Sequence, residues 1–386
     1  MNILFFDIDI TGHHSEYISH IVDYITTIEN DNNYYFVVHP SFQEKFPAIV
    51  NNSLKNNSIK FIKTTNDEIN KLDTANRIIR SKNHFRLMNY YSLKYNVEVT
   101  YLLHMNVFQI ALGLYKVPYK IKGILFMQFT NMRIRSIKDY YYYLRRYFPM
   151  LLCIRNKNLD SIFLLNDTES VVSLNSKFKK NNVFKFLADP IPFVEGEKDF
   201  DIREFYNIKK DKKIFLHFGA LSERKGTLDI LDAVYFLRDN QDKVTIILAG
   251  KATDEFAETL TERIFQVQNT TGIQLIWDNS FLANERVVAL FNQCDVVLIP
   301  YKNAEASSGV LGHTISSYKK VIGPSNGLIG KMIDEYALGV TIDNITPEKL
   351  ANVFYSEDLI SNNFTHYLEY IEDHKPVNFV KTLLYS

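Results

Sequence analysis

The chain has 386 residues, of which 44 are basic and 44 acidic, so its formal net charge at pH 7 is zero. This length predicts two or three domains, and the balanced charge excludes a general attraction to nucleic acid or to an anionic membrane. Cys153 and Cys294 are the only two cysteines, which excludes a disulfide framework and a cysteine-based metal site.

Short apolar runs alternate with helical patterns along both halves of the chain. In the first half the predicted strands are Asn2–Ile8, Tyr34–Val38, Ile59–Ile62, Val97–Leu103, Gly123–Gln128, Ser161–Leu165 and Val183–Phe186. In the second half they are Lys213–Phe218, Val244–Ala249, Ile273–Trp277, Val296–Pro300, Lys320–Ile322 and Val340–Ile342. The helical patterns include Ser15–Glu29, Asp167–Ser176, Thr253–Asn269 and Ser307–Tyr318. This alternation predicts an α/β protein with parallel sheets and right-handed crossovers.

The segment from Asp189 to Asp201 interrupts the alternation with two prolines, a glycine and a charged stretch. We therefore predict two Rossmann-like, doubly wound domains, covering residues 1–190 and 191–360, that face each other across a cleft. Residues 361–386 are predicted to form a helical segment that packs back toward the first domain.

The strand Lys213–Phe218 leads into Gly219, after which Arg224, Lys225 and Gly226 are predicted to open a helix that runs from Thr227 to about Arg238. Ligands of open α/β sheets bind at the carboxyl ends of strands, and the amino end of a helix favours an anion. The two cations oppose the helix dipole, and an anionic ligand such as a diphosphate would remove this penalty. A solvated pair of cations at a helix start is the alternative.

A second candidate follows the strand Val296–Pro300. Ser307 or Ser308 is a good helix cap, Gly309 lets a ligand approach the backbone, and the Glu305 carboxylate can hydrogen-bond sugar hydroxyls. The alternative is a capped helix beside a surface glutamate.

Two further candidates follow strands of the first half. Gly12 would permit close approach of a substrate, and His13 and His14 could donate to a phosphate or to hydroxyls, unless the segment is an ordinary turn. His104 ends the strand Val97–Leu103 and either lines a site or is a satisfied core histidine. Asp7-Ile8-Asp9 matches the D-x-D pattern of metal-binding carboxylates. Because it lies on the first predicted strand, we interpret the match as chance.

Together these segments resemble the retaining glycosyltransferases with the GT-B fold, of the family 4 type (group 1). The resemblance covers nearly the whole chain and is strongest from Lys213 to Asp343. It rests on Phe218–Gly226, Leu248–Gly250, Phe281–Phe291, Cys294–Pro300, Lys320–Gly323, Gly339–Thr341 and Glu305, the first glutamate of an E-x7-E motif. Two positions depart from the pattern: Ala220 stands where the family usually has arginine, and His313 replaces the second glutamate, usually a ribose ligand.

The resemblance implies transfer of a sugar from a UDP- or GDP-linked donor to a glycan or lipid-linked acceptor, with retention, without a metal or other cofactor, in bacterial surface polysaccharide or glycolipid synthesis. It implies catalytic roles for His104, Arg224, Lys225 and Glu305. The implied donor and phosphate ligands are Gly12, Gly219, Arg224, Lys225, Phe281, Leu282, Glu305, Ser307, Ser308, Gly309, Val310 and His313. His13 and His14 would lie on the acceptor side.

The start of the chain lacks a basic leader region, and no apolar run approaches the ~20 residues that a membrane span needs. We therefore expect a cytoplasmic protein. Residues 133–157 combine seven Lys and Arg with a run of aromatic residues, which is typical of a helix lying on an anionic membrane surface. The alternative is that the aromatic residues pack in the core.

A catalytically inactive GT-B protein that binds nucleotide sugar is the main alternative function, because of Ala220 and His313. A sugar-nucleotide epimerase would need an acid/base carboxylate set, which the sequence does not reveal. A nicotinamide oxidoreductase would need the G-x-G-x-x-G fingerprint, which is absent from the sequence.

Overall fold

A computed structural model describes residues 1–10, 14–191, 196–359 and 364–386. The described residues form two compact units: unit 1 comprises Met1–Ala188 with Pro376–Ser386, and unit 2 comprises Asp189–Lys375. The chain therefore leaves unit 1 after Ala188 and returns to it at Pro376.

Each unit of the described chain contains one parallel sheet, with seven strands in unit 1 and six in unit 2. The strands are β1 Asn2–Asp7, β2 Asn33–Val38, β3 Ile59–Lys63, β4 Val99–Leu102, β5 Lys120–Leu125, β6 Leu159–Leu165, β7 Phe184–Leu187, β8 Lys213–Phe218, β9 Val244–Ala249, β10 Gln274–Asp278, β11 Val296–Leu298, β12 Lys320–Pro324 and β13 Gly339–Ile342. The strand orders are β3-β2-β1-β4-β5-β6-β7 and β10-β9-β8-β11-β12-β13. Both are doubly wound orders, in which the direction of winding reverses beside the first strand of the sheet.

Helices connect the strands. They are α1 His14–Thr27, α2 Phe42–Lys45, α3 Pro47–Ser53, α4 Asn66–Asn70, α5 Arg77–Lys94, α6 Gln109–Leu114, α7 Ile137–Cys153, α8 Thr168–Lys177, α9 Ile202–Phe205, α10 Thr227–Ala233, α11 Asp254–Thr271, α12 Asn284–Gln293, α13 Gly309–Ser316, α14 Gly327–Glu335, α15 Pro347–Val353, α16 Thr365–Asp373 and α17 Pro376–Tyr385. Side-chain caps fix several starts: Asn76 accepts from Ile78 and Ile79 N–H at α5, and Ser136 accepts from Asp139 N–H at α7.

Both faces of each sheet are covered by apolar side chains. In unit 1 one cluster includes Leu4 and Phe6 and the other includes Phe5 and Tyr17, so neighbouring residues of β1 point to opposite cores. All six residues of β9 in unit 2 are buried. Burial on both faces is the reason that these strands appear in the sequence as continuous apolar runs.

The final helix α17 belongs to unit 1. Its residues Phe379, Val380 and Leu383 are buried, the Phe379 ring lies 4.9 Å from the Tyr17 ring, and the Tyr101 hydroxyl donates to the Leu384 carbonyl over 3.2 Å.

The sequence predicted all thirteen strands, and the bounds of β8 and β9 agree with the prediction to the residue. The prediction for β5 was three residues too late, because the Asn106 side-chain oxygen accepts from Phe126 and Met127 N–H and draws the chain away from the sheet. The predicted helix to Arg238 was also wrong in length. Helix α10 ends at Ala233 and continues as a 3₁₀ turn over Val234–Phe236, a common way for a helix to end.

Among the described helices, none combines the length and the apolar character that crossing a membrane requires.

Candidate active site

The winding of each sheet reverses between two adjacent strands, and candidate site residues follow both of them. In unit 1 these strands are β1 and β4, and in unit 2 they are β8 and β11. Ligands of doubly wound sheets bind outside the carboxyl ends of the strands at such a point. The sequence candidates His14 and His104 lie after β1 and β4. The candidate segments Gly219–Gly226 and Glu305–His313 lie after β8 and β11.

The ammonium of Lys225 lies directly over the end of β8. Its Nζ donates to the Phe218 carbonyl over 3.4 Å and stands 5.2 Å from the centre of the Tyr301 ring. A β-carbon built on Gly219 would come within 2.4 Å of this Nζ, and the Gly219 backbone has φ +110°. The glycine thus leaves room for a cation where an anionic ligand would approach the strand end.

Helix α10 begins at Thr227, as the sequence predicted, and Arg224, Lys225 and Gly226 directly precede it. Arg224 and Lys225 occupy a 3₁₀ turn, Glu223–Lys225. Gly226 separates the two elements with φ +73°, and a β-carbon there would lie 2.2 Å from the Pro300 carbonyl oxygen. The left-handed glycine packs the turn against the end of β11, with the Arg224 side chain exposed and Lys225 half-buried.

The buried side chain of His217 stabilises the same turn. The sequence analysis did not identify His217 as a site residue. The ring is fully buried, its Nδ1 lies 2.8 Å from the Leu298 carbonyl, and its Nε2 lies 3.0 Å from the Thr227 hydroxyl. Burial lowers the pKa of His217 to about 4, so the ring is neutral at pH 7, with Nδ1–H donating to Leu298. A polar residue inside an apolar strand was the available sequence signal.

The second candidate site predicted from the sequence begins in the loop after β11. Ser307 Oγ donates to Asp189 Oδ2 over 2.7 Å, and Ser308 is the N-cap residue of α13 without a side-chain capping bond. Glu305 is half-buried and its N–H donates to Asn303 Oδ1 over 3.2 Å. Gly309 opens the helix, and Val310 is buried in the core beneath it.

His313, which stands where the resemblance expects a second glutamate, packs among aromatic rings. Its ring stacks on Phe291 with 5.1 Å between centroids and meets the edge of Phe218 at 6.2 Å. The half-buried ring of His313 therefore packs against these two phenylalanine side chains.

Phe281 and Leu282 follow the end of β10. The Phe281 side chain is 90% exposed, whereas Leu282 packs against the core of unit 2. Nearby, Trp277 Nε1 donates to the Gly250 carbonyl over 3.1 Å, and Gly250 N–H donates to the Asp278 carbonyl over 2.9 Å. An aromatic ring that is this exposed can serve as a stacking surface.

In unit 1 two histidines hydrogen-bond two carboxylates at the point between β1 and β4 where the winding of the sheet reverses. His14 Nδ1 donates to Asp7 Oδ2 over 2.8 Å, and His104 Nδ1 donates to Asp9 Oδ2 over 2.9 Å. The centroids of the two imidazole rings are 5.4 Å apart. The His104 side chain is 37% exposed, so it is not a core histidine. Gly12 and His13 lie outside the described residues.

The sequence analysis interpreted the D-x-D string as a chance match; in the structure each of its two carboxylates accepts a hydrogen bond from a histidine. Strand β1 ends at Asp7, and Asp9 lies beyond it. Burial raises the pKa of Asp7, against the opposing effect of its bond from His14. The bond from His104 lowers the pKa of Asp9. Two carboxylates at the carboxyl end of a first strand were the signal that could have identified these residues.

Known glycosyltransferases are among the proteins that this chain resembles. Residues 198–371, which lie within unit 2, match the family model of glycosyl transferases group 1. Over 191 residues the chain is 24% identical to a lipopolysaccharide 1,2-N-acetylglucosaminetransferase of Salmonella typhimurium. The aligned region spans 48% of this chain and 47% of that relative, about half of each.

Solved structures resemble the chain along its whole length. WaaG, a glycosyltransferase involved in lipopolysaccharide biosynthesis, superimposes with a TM-score of 0.64 at 13% identity, covering 100% of both chains. HepE of Anabaena, in complex with UDP and glucose, gives 0.66 at 12% identity, covering 99% of this chain and 98% of that chain. The trehalose-6-phosphate synthase OtsA gives 0.69 at 9% identity, with the same coverage.

At these low identities the structural likeness shows the fold alone, and it confirms the predicted GT-B class with two parallel-sheet α/β domains. The residues that match the family model include the strand ends of unit 2 described above. Unit 2 of this chain therefore contains a region that resembles the glycosyl transferases of group 1, and the chain as a whole has the GT-B fold.

Proposed function

We propose that the protein is a glycosyltransferase that moves a sugar from a nucleotide-diphosphate donor to an acceptor hydroxyl. The observation that carries this proposal is the placement of the Lys225 ammonium over the end of β8, beside Gly219 and Tyr301. As the glycosidic bond breaks, negative charge develops on the leaving diphosphate, and fixed cations and N–H dipoles stabilise it.

Tyr301 supports a ligand at this point. The residue is 6% exposed, and its hydroxyl has no hydrogen-bond partner among the described residues. Buried polar groups in native proteins are nearly always paired, so such a hydroxyl is suited to a ligand or an ordered water. In our proposal it hydrogen-bonds a phosphate oxygen held by Lys225 and Arg224.

The remaining donor contacts follow from the same sheet edge. The exposed Phe281 ring would stack on the base, and Glu305 would accept hydrogen bonds from the hydroxyls of the ribose or of the transferred sugar. The two cations would neutralise the diphosphate directly, so we propose that the donor site works without a metal and that the reaction retains the anomeric configuration. UDP is favoured as the nucleotide because the similar HepE structure contains UDP, and a surface glycan or glycolipid is favoured as the acceptor because two similar proteins act in lipopolysaccharide synthesis.

The donor site can be tested without knowledge of the acceptor. We expect one of UDP, GDP, ADP, CMP and CDP to raise the melting temperature, because a ligand at about a hundred times its dissociation constant adds about 2.7 kcal/mol to stability. Lys225→Ala should abolish that shift. Lys210→Ala is a matched control, since Lys210 is exposed and precedes the opposite, amino end of β8. If no nucleotide shifts the transition, or if Lys225→Ala keeps the shift, the proposed phosphate site is wrong.

A nucleotide-sugar-binding protein without turnover is the second candidate. It is favoured by the packing of His313 against Phe291, which replaces a sugar-binding carboxylate with an aromatic contact. Slow hydrolysis of the donor separates the two functions: an active transferase releases some nucleoside diphosphate in the absence of acceptor, and a binding protein releases none.

We also propose that unit 1 contacts the cytoplasmic face of a membrane through α7. Ile137, Tyr141 and Phe148 are 90%, 60% and 53% exposed, and their spacing of four and seven residues places them on one helix face. Tyr143 and Tyr147, in contrast, pack against Phe129. The aromatic run thus divides between core and surface, and exposed Lys138 and Arg145 add positive charge beside the apolar face.

Sedimentation with vesicles tests this surface. The protein should co-sediment with vesicles that contain phosphatidylglycerol at low salt. Less protein should co-sediment at high salt, because salt screens the attraction between the basic side chains and the anionic lipid. The double variant Ile137→Ser/Tyr141→Ser should lose binding, whereas Phe265→Ser, which changes a 66% exposed ring on α11 of unit 2, should not. Equal sedimentation of all three proteins would contradict the proposal.

A further inference from the structure

Unit 1 holds a cluster of imidazole and carboxylate groups that lie close enough together to bind one metal ion. One ligand atom from each of Asp9, His14 and His104 lies within 4.8 Å of the other two. Asp9 Oδ2 is 2.9 Å from His104 Nδ1 and 3.8 Å from His14 Nε2. Two ligands of one tetrahedral Zn²⁺ ion, each about 2.0–2.1 Å from the metal, are separated by about 3.3 Å, so small side-chain movements would suffice.

The topology of the sheet fixes this convergence. Asp9 follows β1, His14 is the first residue of α1, and His104 follows β4. Strands β1 and β4 are parallel neighbours, with Phe6 opposite Leu102. The ligand-bearing segments therefore leave the same edge of the sheet side by side, although 95 residues separate Asp9 from His104.

The buried carboxylate of Asp7 adds an independent observation. Its side chain is 2% exposed, Oδ2 accepts from His14 Nδ1 over 2.8 Å, and Oδ1 accepts from Asp9 N–H over 3.1 Å. This carboxylate fixes the tautomer of His14 that carries the proton on Nδ1, and it directs Nε2 toward Asp9. Histidines that bind metals almost always donate their other N–H to such an outer carboxylate or carbonyl.

We propose that Asp9, His14 and His104 bind a divalent transition-metal ion of the zinc class, with Asp7 orienting His14. Two imidazole nitrogens and one carboxylate suit Zn²⁺, Co²⁺ or Ni²⁺, whereas Mg²⁺ and Ca²⁺ prefer oxygen ligands. The Asp9 side chain is 48% exposed, so the ion would keep a side open to water or to a substrate oxygen. Binding through His104 Nδ1 would replace the proton now donated to Asp9 and release it to solvent. Metal binding at these three residues does not depend on the proposed transfer reaction.

Titration with Zn²⁺ tests the site directly. Untagged full-length protein treated with a chelator should bind one Zn²⁺ per chain in calorimetry. Asp9→Asn and His104→Ala should each weaken binding at least about tenfold, and Asp7→Asn should weaken it about 10–100-fold through the orientation of His14. His366→Ala is the control, because this histidine is 52% exposed in unit 2 and should leave the affinity unchanged.

The result is interpretable even if Asp7→Asn fails to fold, because Asp9→Asn alters a half-exposed carboxylate to an amide of the same shape. Melting curves recorded without metal establish that each variant is folded. Absence of one-to-one binding in the wild-type chain would overturn the proposal, and so would an affinity that Asp9→Asn and His104→Ala leave unchanged.

Discussion

His217 should make the stability of unit 2 fall as the solution is acidified. Its ring has no contact with solvent, and burial lowers its pKa to about 4, whereas a histidine in an unfolded chain titrates near 6.5. Above about pH 6.5 both states are neutral and the ring has no pH effect. Below that value the unfolded chain binds a proton that the folded ring cannot accept, so folding stability is lost.

The size of the effect follows from the two pKa values. Each pH unit between them is worth about 1.4 kcal/mol, which gives a loss of about 2 kcal/mol at about pH 5 and about 3 kcal/mol at about pH 4. His217→Asn removes the titration while its amide can still donate to the Leu298 carbonyl. The variant should be less stable than wild type at about pH 7, because the Thr227 contact is lost, but less sensitive to acid.

Urea unfolding at about pH 7 and about pH 5 measures this difference. The single tryptophan of the sequence, Trp277, lies in β10, so its fluorescence reports on unit 2. Burial also lowers the pKa of His374, but that group is present in both proteins and cancels in the comparison. The reasoning is refuted if wild type and His217→Asn lose the same free energy of unfolding between the two pH values.

Two further predictions concern the same sheet edge. Gly226→Ala should destabilise unit 2 by more than Gly272→Ala: both glycines have a left-handed backbone, worth about 1–2 kcal/mol against alanine, but the new β-carbon would lie 2.2 Å from the Pro300 oxygen in the first case and would meet nothing within 4 Å in the second. Equal melting temperatures for the two variants would show that the turn does not pack against β11 as described. Phe281→Ala should weaken binding of whichever nucleotide stabilises the protein by about 1–3 kcal/mol, the usual value of a base stacked on an aromatic ring, while the free energy of unfolding stays unchanged because the ring is 90% exposed. Isothermal titration measures the affinity for that nucleotide, and urea unfolding measures the free energy of unfolding. An unchanged affinity would remove Phe281 from the base site.

The elements of the fold were largely predictable because their signals are local. Strands such as Val244–Ala249 are buried on both faces and appear in the sequence as unbroken apolar runs. Positions of the ends were less predictable where a distant side chain decides them, as Asn106 does for the end of β5. Likewise, Gly226 was correctly identified as the last residue before the helix, but its left-handed conformation places Arg224 and Lys225 in a separate turn.

The positions of the candidate residues at the sheet edge were more predictable in unit 2 than in unit 1. In unit 2 the resemblance concerns contiguous segments, each placed by its own strand, so Gly219, Lys225 and Glu305 fall at the expected sheet edge. In unit 1 the informative contact joins Asp9 to His104. No local pattern links residues so far apart, and the sequence offered only separate histidines and a D-x-D string.

The sequence by itself determined the alternation of strands and helices, the parallel sheets and the group 1 pattern of unit 2, because hydrophobic periodicity and short motifs are properties of neighbouring residues. The tertiary structure alone decided which strands are adjacent, and thereby which polar side chains meet. It paired Asp7 with His14 and Asp9 with His104, buried His217 under the Lys225 turn, and divided the tyrosines of α7 between core and surface. These contacts depend on the order of strands in the sheet, which is set by the packing of the whole unit and not by any one segment.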